Sequence, residues 1–278
     1  MPGKLIKIPL IAVLLMLHQP LAALSHEFWI EPERWQFEPG TPISADLMVG
    51  QMLRGEPYPY LSNHFTRFSV AADRTAIVVA GIEGDLPALS RVAAEHGLNT
   101  ITHQTVAFRA TYDDWSVFRR YLSEEGLDSF AEVHRSRGLP ETGFSERYTR
   151  YAKALVQSGP VTPGDRDTAQ GLTFEMVVGE NPYLPGLDRL PVTLLWQGSR
   201  VANHQITILE ADGEKVSRKT IRTDSTGAAE IQTIPGRSYL LNAVRLEAVD
   251  DVPVVWQSHW ASLTFGTMQS FKPKFEHP

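Results

Sequence analysis

Residues 205–233, QITILEADGEKVSRKTIRTDSTGAAEIQT, predict three short strands joined by two tight turns. Alternation of β-branched and polar residues indicates the strands, which cover 205–210, 215–221 and 228–233. Asp212-Gly213 is a typical hairpin turn, and a second turn runs from Thr223 to Gly227. Short strands separated by such turns favour an antiparallel β architecture.

Further strands flank this stretch in the C-terminal half of the chain. A similar pattern recurs over 172–178, 191–196, 239–246 and 254–265. About seven short strands at a spacing of roughly 8–12 residues are typical of a Greek-key sandwich of the immunoglobulin type. We therefore predict a β-sandwich over 166–278, preceded by a linker at 160–170, where Pro160 and Pro163-Gly164 stand among polar residues.

The N-terminal half predicts a second β domain, over 26–165. Its strands are expected over 43–49, 65–70, 75–80 and 99–110. A long loop at 51–65 is rich in proline and tyrosine, and loops on a rigid scaffold often carry binding groups. The predicted fold class is therefore mainly β, with two β-sandwich-like domains.

Over residues 113–158, apolar residues recur with a period of about 3.6 instead of two. This period predicts a helical insertion in the first domain. Asp113 or Asp114 can cap a first helix that ends at Gly126. A second helix is expected from Asp128 to Gly138.

A third helix is predicted from Ser145 to the Gly159-Pro160 turn. Its apolar stripe recurs at helical spacing and consists of Tyr148, Tyr151, Ala152, Leu155 and Val156. The polar side chains between them would face solvent, namely Arg147, Arg150 and Lys153.

Residues 1–25 have the three parts of a secretory signal peptide. Lys4 and Lys7 precede an apolar core, and Ala23 and Ser25 are small residues at the −3 and −1 positions of a cut before His26. We therefore expect export to a bacterial-type periplasm. A cut after Ala23 or a retained anchor is the alternative.

The amino-acid composition argues against several classes of function. The 278-residue chain has no cysteine, so it forms no disulfides and binds no metal through thiolates. A net charge of −6 and an isoelectric point near 5.9 argue against a nucleic-acid partner. No second apolar run approaches the roughly 18 residues of a membrane span, so we expect no spanning segment after cleavage.

Three histidines are the candidate metal ligands. Cleavage before His26 would leave a terminal amine and an imidazole on one residue, which together can chelate a metal ion. His103 precedes a β stretch and is the second candidate, with an ordinary strand-end histidine as the alternative. His64 lies in the tyrosine-rich loop and is the third, with a solvent-exposed loop histidine as the alternative.

Other chemistry has little support in the sequence. There is no Gly-x-Ser-x-Gly elbow, phosphate-binding glycine loop, cysteine nucleophile or zinc-protease histidine pair, so we predict a protein that is not an enzyme. Four aromatic residues could line a carbohydrate or peptide groove but are more often packing residues: Trp29, Trp35, Tyr58 and Tyr60.

Several motifs occur in an order that resembles a known family. They are His26-Glu27-Phe28-Trp29, Tyr121 to Asp128, Glu146-Arg147-Tyr148, Lys153-Ala154-Leu155, Asn181-Pro182-Tyr183 and Trp260 to Phe265. The chain resembles periplasmic proteins of unknown function once described as nickel-uptake substrate-specific components. The region from Val201 to Tyr239 also resembles transthyretin-like or carboxypeptidase-regulatory-like sandwiches. The resemblance favours His26 and His103 as site residues.

The leading hypothesis is a periplasmic protein that binds divalent nickel, cobalt or copper and supports metal uptake or handling. Its partners would be the metal ion and an envelope transporter or receptor. One alternative is a non-catalytic envelope module that binds a glycan or a protein. A second is a copper oxygenase with an amino-terminal histidine brace, which would need an open metal face and a substrate platform.

Overall fold

The structure, a computed structural model, describes residues 27–72, 75–162 and 164–268. The predicted signal peptide and His26 lie outside these residues. Strands hold 55% of the described part and helices 9%, so the predicted mainly β class is confirmed.

Eighteen strands are present in the described residues. In chain order they are β1 (Glu27–Pro32), β2 (Gln36–Phe37), β3 (Pro42–Gln51), β4 (Arg54–Tyr58), β5 (Phe65–Ala72), β6 (Thr75–Val78), β7 (Leu89–Ala93), β8 (Gly97–Thr105), β9 (Phe108–Tyr112), β10 (Phe144–Ser158), β11 (Phe174–Val178), β12 (Arg189–Trp196), β13 (Ser199–Arg200), β14 (Gln205–Asp212), β15 (Lys215–Arg222), β16 (Ala228–Gln232), β17 (Ser238–Asp251) and β18 (Val254–Gly266). The helices of the same residues are α1 (Trp115–Glu124), α2 (Ser129–Ser136) and a 3-10 turn at Ser62–His64.

The strands form three sheets. The central sheet has ten strands in the order β15-β14-β17-β18-β10-β8-β5-β6, with β2 and β9 also paired to β10. The first outer sheet has the order β1-β3-β4, with β7 beside β3. The second outer sheet has the order β11-β12-β13, with β16 beside β12.

Each outer sheet packs on the central sheet and encloses a separate apolar core. Ala152, Ala154 and Val156 of β10 join the core beneath the first outer sheet, whereas Tyr151 and Leu155 join the core beneath the second. Because side chains alternate along a strand, these two sets point to opposite faces of the central sheet. The fold is therefore β-sandwich-like on both sides of β10.

The first two predicted helices are confirmed. The carboxylate of Asp114 accepts a hydrogen bond from the backbone N–H of Ser116 at 2.8 Å and so caps α1. Gly126 adopts a positive φ of 68° just after this helix, a conformation that costs glycine little. Both helices contribute to an apolar cluster with β17 and β18, which includes Val244 and Trp256.

The third predicted helix is wrong, because residues 144–158 form strand β10 and the helical insertion ends at Ser136. Both faces of β10 are buried, so apolar residues occupy odd and even positions alike. Such a run has no clear period of two and can imitate a helical stripe. The expected solvent position of Lys153 is wrong for the same reason, since this residue is 1% exposed.

The predicted boundary at residue 165 stays a prediction. Strand β10, on one side of it, pairs in parallel with β18 on the other, from Ser145 opposite Val254 to Ala154 opposite Thr264. The central sheet thus takes strands from both halves of the chain. Among the described helices, none has the length and apolar character needed to cross a bilayer.

Candidate functional site

His64 and His103 line one cavity of about 340 Å³, here named the histidine cavity. It lies where the first outer sheet meets the β8, β9 and β10 side of the central sheet. Its walls are mostly aromatic, and its lining residues are Phe28, Val49, Tyr58, His64, His103, Thr105, Phe108, Tyr148 and Arg150. The structure therefore brings together two of the three histidines predicted as ligands.

His103 lies on β8 directly opposite Phe68 of β5. Its imidazole packs among three phenyl rings, with centroid distances of 5.3 Å to Phe28, 5.2 Å to Phe65 and 5.0 Å to Phe68. Only 3% of the residue is exposed, and burial lowers its pKa to about 3. His103 is therefore neutral at any physiological pH, as a metal ligand must be.

The Nδ1 atom of His103 is buried and has no hydrogen-bond partner among the described residues. A buried nitrogen without a partner costs free energy relative to its hydrated state, typically about 1–3 kcal/mol. A buried polar atom without a protein partner calls for an explanation, and a role as a ligand atom is one. The alternative raised by the sequence, a strand-end histidine with ordinary hydrogen bonds, does not account for the unpartnered Nδ1 atom.

His64 ends the 3-10 turn that leads into β5 and is partly buried. Its Nδ1 shares a hydrogen bond with the hydroxyl of Tyr58, whose ring centroid is 5.9 Å away. A second aromatic contact, at 5.5 Å, joins His64 to Phe108. Because Tyr58 occupies Nδ1, the ring nitrogen that remains to bind a ligand is Nε2. His64 is thus held in place and is not a freely exposed loop histidine.

Arg150 is a cavity residue that the sequence did not predict. Its guanidinium lies 5.0 Å from the ring centroid of Tyr148 and 5.6 Å from that of Phe28. Burial lowers the pKa of Arg150, and the phenols of Tyr148 and Tyr58 partly oppose this effect. The sequence had placed the residue on the polar face of a helix, so nothing in the pattern indicated a position in the wall of a cavity.

Phe28 connects the histidine cavity to the start of the described chain. It lies on β1 opposite Val49 of β3, and both residues line the cavity. Strand β1 begins at Glu27, so His26, outside the described residues, directly precedes it in the sequence.

Within the described ranges, no group of three or more histidine, aspartate or glutamate side chains is arranged to hold a metal ion. His64 and His103 are therefore at most two members of a ligand set. A metal bound in this cavity needs a further ligand from elsewhere in the chain.

Other buried histidines already have partners. His134 receives a hydrogen bond from Trp256 Nε1 at its Nδ1, and its Nε2 lies 2.9 Å from the carbonyl oxygen of Pro140. These two contacts occupy both ring nitrogens of His134. His259 lies 3.0 Å from the hydroxyl of Tyr151.

The four aromatic residues considered for a groove do not share one surface. Trp29 and Trp35 line a second cavity of about 520 Å³ between β1 and the β14–β15 hairpin. Tyr58 lines the histidine cavity instead, and Tyr60 is 8% exposed in the core beneath the first outer sheet. The four residues therefore do not form a single groove, and Tyr60 has the packing role that was favoured for all four.

Comparison with known families gives one result. A family model described as Domain of unknown function (DUF4198) matches residues 23–246. That span includes every residue that lines the histidine cavity. Comparison with curated proteins gives no match.

Proposed function

The chain belongs to the family described as Domain of unknown function (DUF4198), and from the histidine cavity we propose that it binds a transition-metal ion. The ions considered are nickel, cobalt and copper, for which nitrogen ligands are suitable. The proposal also includes a periplasmic location, based on the signal sequence, and delivery of the metal to an envelope transporter or receptor. It assigns the protein a role in metal handling and no catalytic reaction.

The observation that carries the proposal is the convergence of His64 and His103 on one cavity. The two residues lie on different elements, a 3-10 turn and strand β8, and were selected from the sequence for separate reasons. One has an unpartnered buried nitrogen, and the other has its Nδ1 held by Tyr58. The two imidazoles are held in fixed orientations and are partly removed from water. They can therefore supply two of the ligands of a metal site.

His26 is the proposed third ligand. Phe28 of β1, two residues further along the chain, lines the histidine cavity. A mature chain that starts at His26 would add both its imidazole and its terminal amine.

The geometry of the histidine cavity favours metal binding over the reaction of a copper oxygenase. A histidine-brace oxygenase needs a metal that faces an open substrate platform, whereas His103 is 3% exposed between two sheets. Aromatic walls surround the cavity, which would shield a bound ion from solvent. These features suit storage or transfer of an ion.

Metal titration of the mature protein tests the proposal. A chain that starts at His26 is expected to bind one copper(II) or nickel(II) ion in a competition assay with a chromophoric chelator. His103→Phe, His64→Phe and an alanine inserted before His26 should each weaken binding by about tenfold or more. His96→Ala removes an exposed histidine outside the cavity and serves as the control.

Two outcomes would contradict the proposal. One is an absence of binding by the mature protein. The other is equal binding by the wild type and the three cavity variants, which would place the metal elsewhere. Far-ultraviolet circular dichroism of each variant excludes unfolding as the cause of a loss.

Glycan binding is a second candidate function, and the cavity that contains Trp29 and Trp35 favours it. Arg54 and Glu214 are exposed at its edge, where the guanidinium of Arg54 donates to the carbonyl oxygen of Glu214 at 3.3 Å. Aromatic surfaces with a few polar groups are common in ligand sites. Tryptophan fluorescence during titration with neutral oligosaccharides tests this candidate, with Trp35→Ala as the variant. An unchanged spectrum would contradict it.

A further inference from the structure

Three ionisable side chains, here named the lysine triad, meet between the central sheet and the second outer sheet. Lys153 is on β10, Glu175 is on β11, and Asp167 is in the segment between these strands. The side chain of Asp167 is 0% exposed, and those of Lys153 and Glu175 are each 1% exposed. Nζ of Lys153 lies 2.9 Å from Asp167 Oδ2 and 3.1 Å from Glu175 Oε1. An amine and two carboxyl groups therefore meet in a site that is closed to bulk water.

Glu175 is held in place by the backbone that precedes β11. Its Oε1 accepts the N–H of Gln170 at 2.7 Å, and its Oε2 accepts the N–H groups of Gly171 at 3.1 Å and Leu172 at 3.2 Å. These three hydrogen bonds fix the carboxyl group beside the Lys153 amine. Glu175 is thus positioned to take a proton from that amine and to return it.

Asp167 is the less completely bound of the two carboxyl groups. Its Oδ2 accepts hydrogen bonds from Lys153 and from the N–H of Val178 at 3.1 Å. Its Oδ1 is buried and has no hydrogen-bond partner among the described residues. Burial raises the pKa of Asp167, although the charge of Lys153 opposes this effect. A carboxyl group in such surroundings is protonated more readily than one in water, and the protonated form is the one that an amine can attack.

We infer that the side chains of Lys153 and Asp167 become joined by an amide bond after the chain folds, with Glu175 as the proton carrier. The new bond joins Nζ to Cγ, which is one carbon–oxygen bond away from Oδ2. Reacting groups that a structure holds in contact can behave as if they were present at about 10⁵–10⁸ M. The inference concerns the interior of the protein and does not depend on the proposed metal site.

The reaction is a condensation that needs no oxidant and no further reactant. First, the Lys153 ammonium gives one proton to Asp167, which yields a neutral amine and a carboxylic acid. The lone pair of the amine then attacks Cγ to form the Nζ–Cγ bond, and Glu175 takes a proton from Nζ. Glu175 returns this proton to a hydroxyl group on Cγ, which leaves as water when its bond to Cγ breaks. The water carries one oxygen of Asp167 and two protons of the ammonium, and Glu175 ends as it began.

The buried location favours the amide over the separate charged groups. An ammonium and a carboxylate lose hydration energy in a protein interior, and their conversion to a neutral amide removes that cost. Exclusion of bulk water also withholds the reactant of the reverse hydrolysis. The product would tie residue 153 to residue 167 in a chain that has no cysteine and therefore no disulfide.

Mass spectrometry tests the inference directly. The intact denatured protein should be lighter, by one water molecule, than the mass calculated from its sequence, with the first residue determined by N-terminal sequencing. Fragmentation of proteolytic peptides should locate the loss in an amide between Lys153 and Asp167. A full mass, or a water loss located at other residues, overturns the inference. These wild-type measurements stand whether or not a variant folds.

Three variants assign the roles within the triad. Lys153→Arg keeps a positive charge but lacks the amine nucleophile, so it should have its full calculated mass. Glu175→Gln keeps the size of the side chain and removes the proton carrier. Amide formation should slow by about 100-fold or more, which leaves the full mass in freshly purified protein. Lys219→Arg is the matched control, because Lys219 is exposed and lies 3.7 Å from Glu210, and this variant should still lack one water.

The variants can contradict the inference separately. A water loss in Lys153→Arg would show that the amide does not use the Lys153 amine. A water loss in freshly purified Glu175→Gln as complete as in wild type would overturn the role of Glu175 as proton carrier. Far-ultraviolet circular dichroism of each variant shows whether a full mass accompanies the native fold.

Discussion

Lys153 and Asp167 form a fully buried ion pair, with 2.9 Å between Nζ and Oδ2. The same ammonium donates to Glu175 Oε1 at 3.1 Å and to the carbonyl oxygen of Met176 at 3.0 Å. Glu175 and Met176 belong to β11, so the contact joins the central sheet to the second outer sheet. Asp167 also accepts the backbone N–H of Val178, which leaves few of these charged atoms unsatisfied.

Lys153→Met should therefore be strongly destabilising. The substitution leaves two carboxylates buried without a cation, and loss of one partner from a buried pair costs about 3–5 kcal/mol. Urea denaturation measures the free energy of unfolding. The control is Arg189→Met, which removes an exposed pair with Glu230 and should have little effect on stability. Similar losses in the two variants would contradict this prediction.

Glu146→Gln should reduce the dependence of stability on pH. Burial raises the pKa of Glu146 from 4.5 to about 7, so the folded state holds its proton more tightly than the unfolded state. The resulting stability is present below pH 4.5 and is lost as pH rises through about 7. The fall in unfolding free energy between pH 5 and 8 should shrink by on the order of 2 kcal/mol in the variant.

The control for this substitution is Glu141→Gln, an exposed residue paired with Arg135. Its pH profile should run parallel to that of the wild type. Burial also raises the pKa of Glu27 to about 7 and of Glu125 to about 8, so some slope should remain in Glu146→Gln. A profile of Glu146→Gln that is parallel to wild type would show that this carboxyl is already ionised in the folded protein.

His103→Phe should make the metal-free protein more resistant to acid. Burial lowers the pKa of His103 from 6.5 to about 3, so stability present above pH 6.5 is lost as pH falls toward 3. Phenylalanine suits a position that already contacts Phe28, Phe65 and Phe68, and it removes the unpartnered Nδ1. Thermal unfolding at pH 4.5 and 7.5 is the measurement. A loss of melting temperature on acidification as large as in wild type would refute the expectation.

Tyr58→Phe should weaken metal binding without disturbing the fold. The lost hydroxyl is the hydrogen-bond partner of His64 Nδ1, and removal of such an orienting group typically costs about 10- to 100-fold in metal affinity. Tyr60→Phe is the control, since within the described residues the Tyr60 hydroxyl donates to the carbonyl oxygen of Val79 at 3.5 Å, and Tyr60 lies outside the cavity. Chelator competition measures the metal affinity of both variants. Equal affinities would contradict the proposed orienting role of Tyr58.

The exported chain should begin at His26, because Ala23 and Ser25 supply small residues at the −3 and −1 positions. Intact mass of the periplasmic form measures the start directly. A start at Leu24, or an uncut chain, would remove the terminal amine of His26 from the proposed ligand set. His64 and His103 would then remain as the only ligands with support.

Local sequence patterns predicted the turns and helix caps, because their geometry depends on residues that are close in the sequence. The hairpin at Asp212-Gly213 is present, since Asp212 of β14 pairs with Lys215 of β15. Strand β16 also forms where predicted, after the turn in which Asp224 accepts the backbone N–H of Thr226 and Ala228. Caps and turns are made by residues close in sequence, so their residue types alone are informative.

Strand β10 could not be identified in the same way. Its two faces are buried by different sheets, and its long partner β18 lies about a hundred residues further along the chain. Only these distant contacts distinguish a doubly buried strand from an amphipathic helix of the same apolar content. Both Lys153 and Arg150 were expected in solvent because a helix was predicted here. On β10, Lys153 is buried and Arg150 is partly buried.

The sequence by itself determined the mainly β class, the capped helices and the choice of His26, His64 and His103 as candidate ligands. The tertiary structure alone decided that His64 and His103 share a cavity, and that Arg150 places a positive charge beside them. The physical reason is that residue type and spacing act locally, whereas a cavity is made by side chains from separate strands that packing brings together.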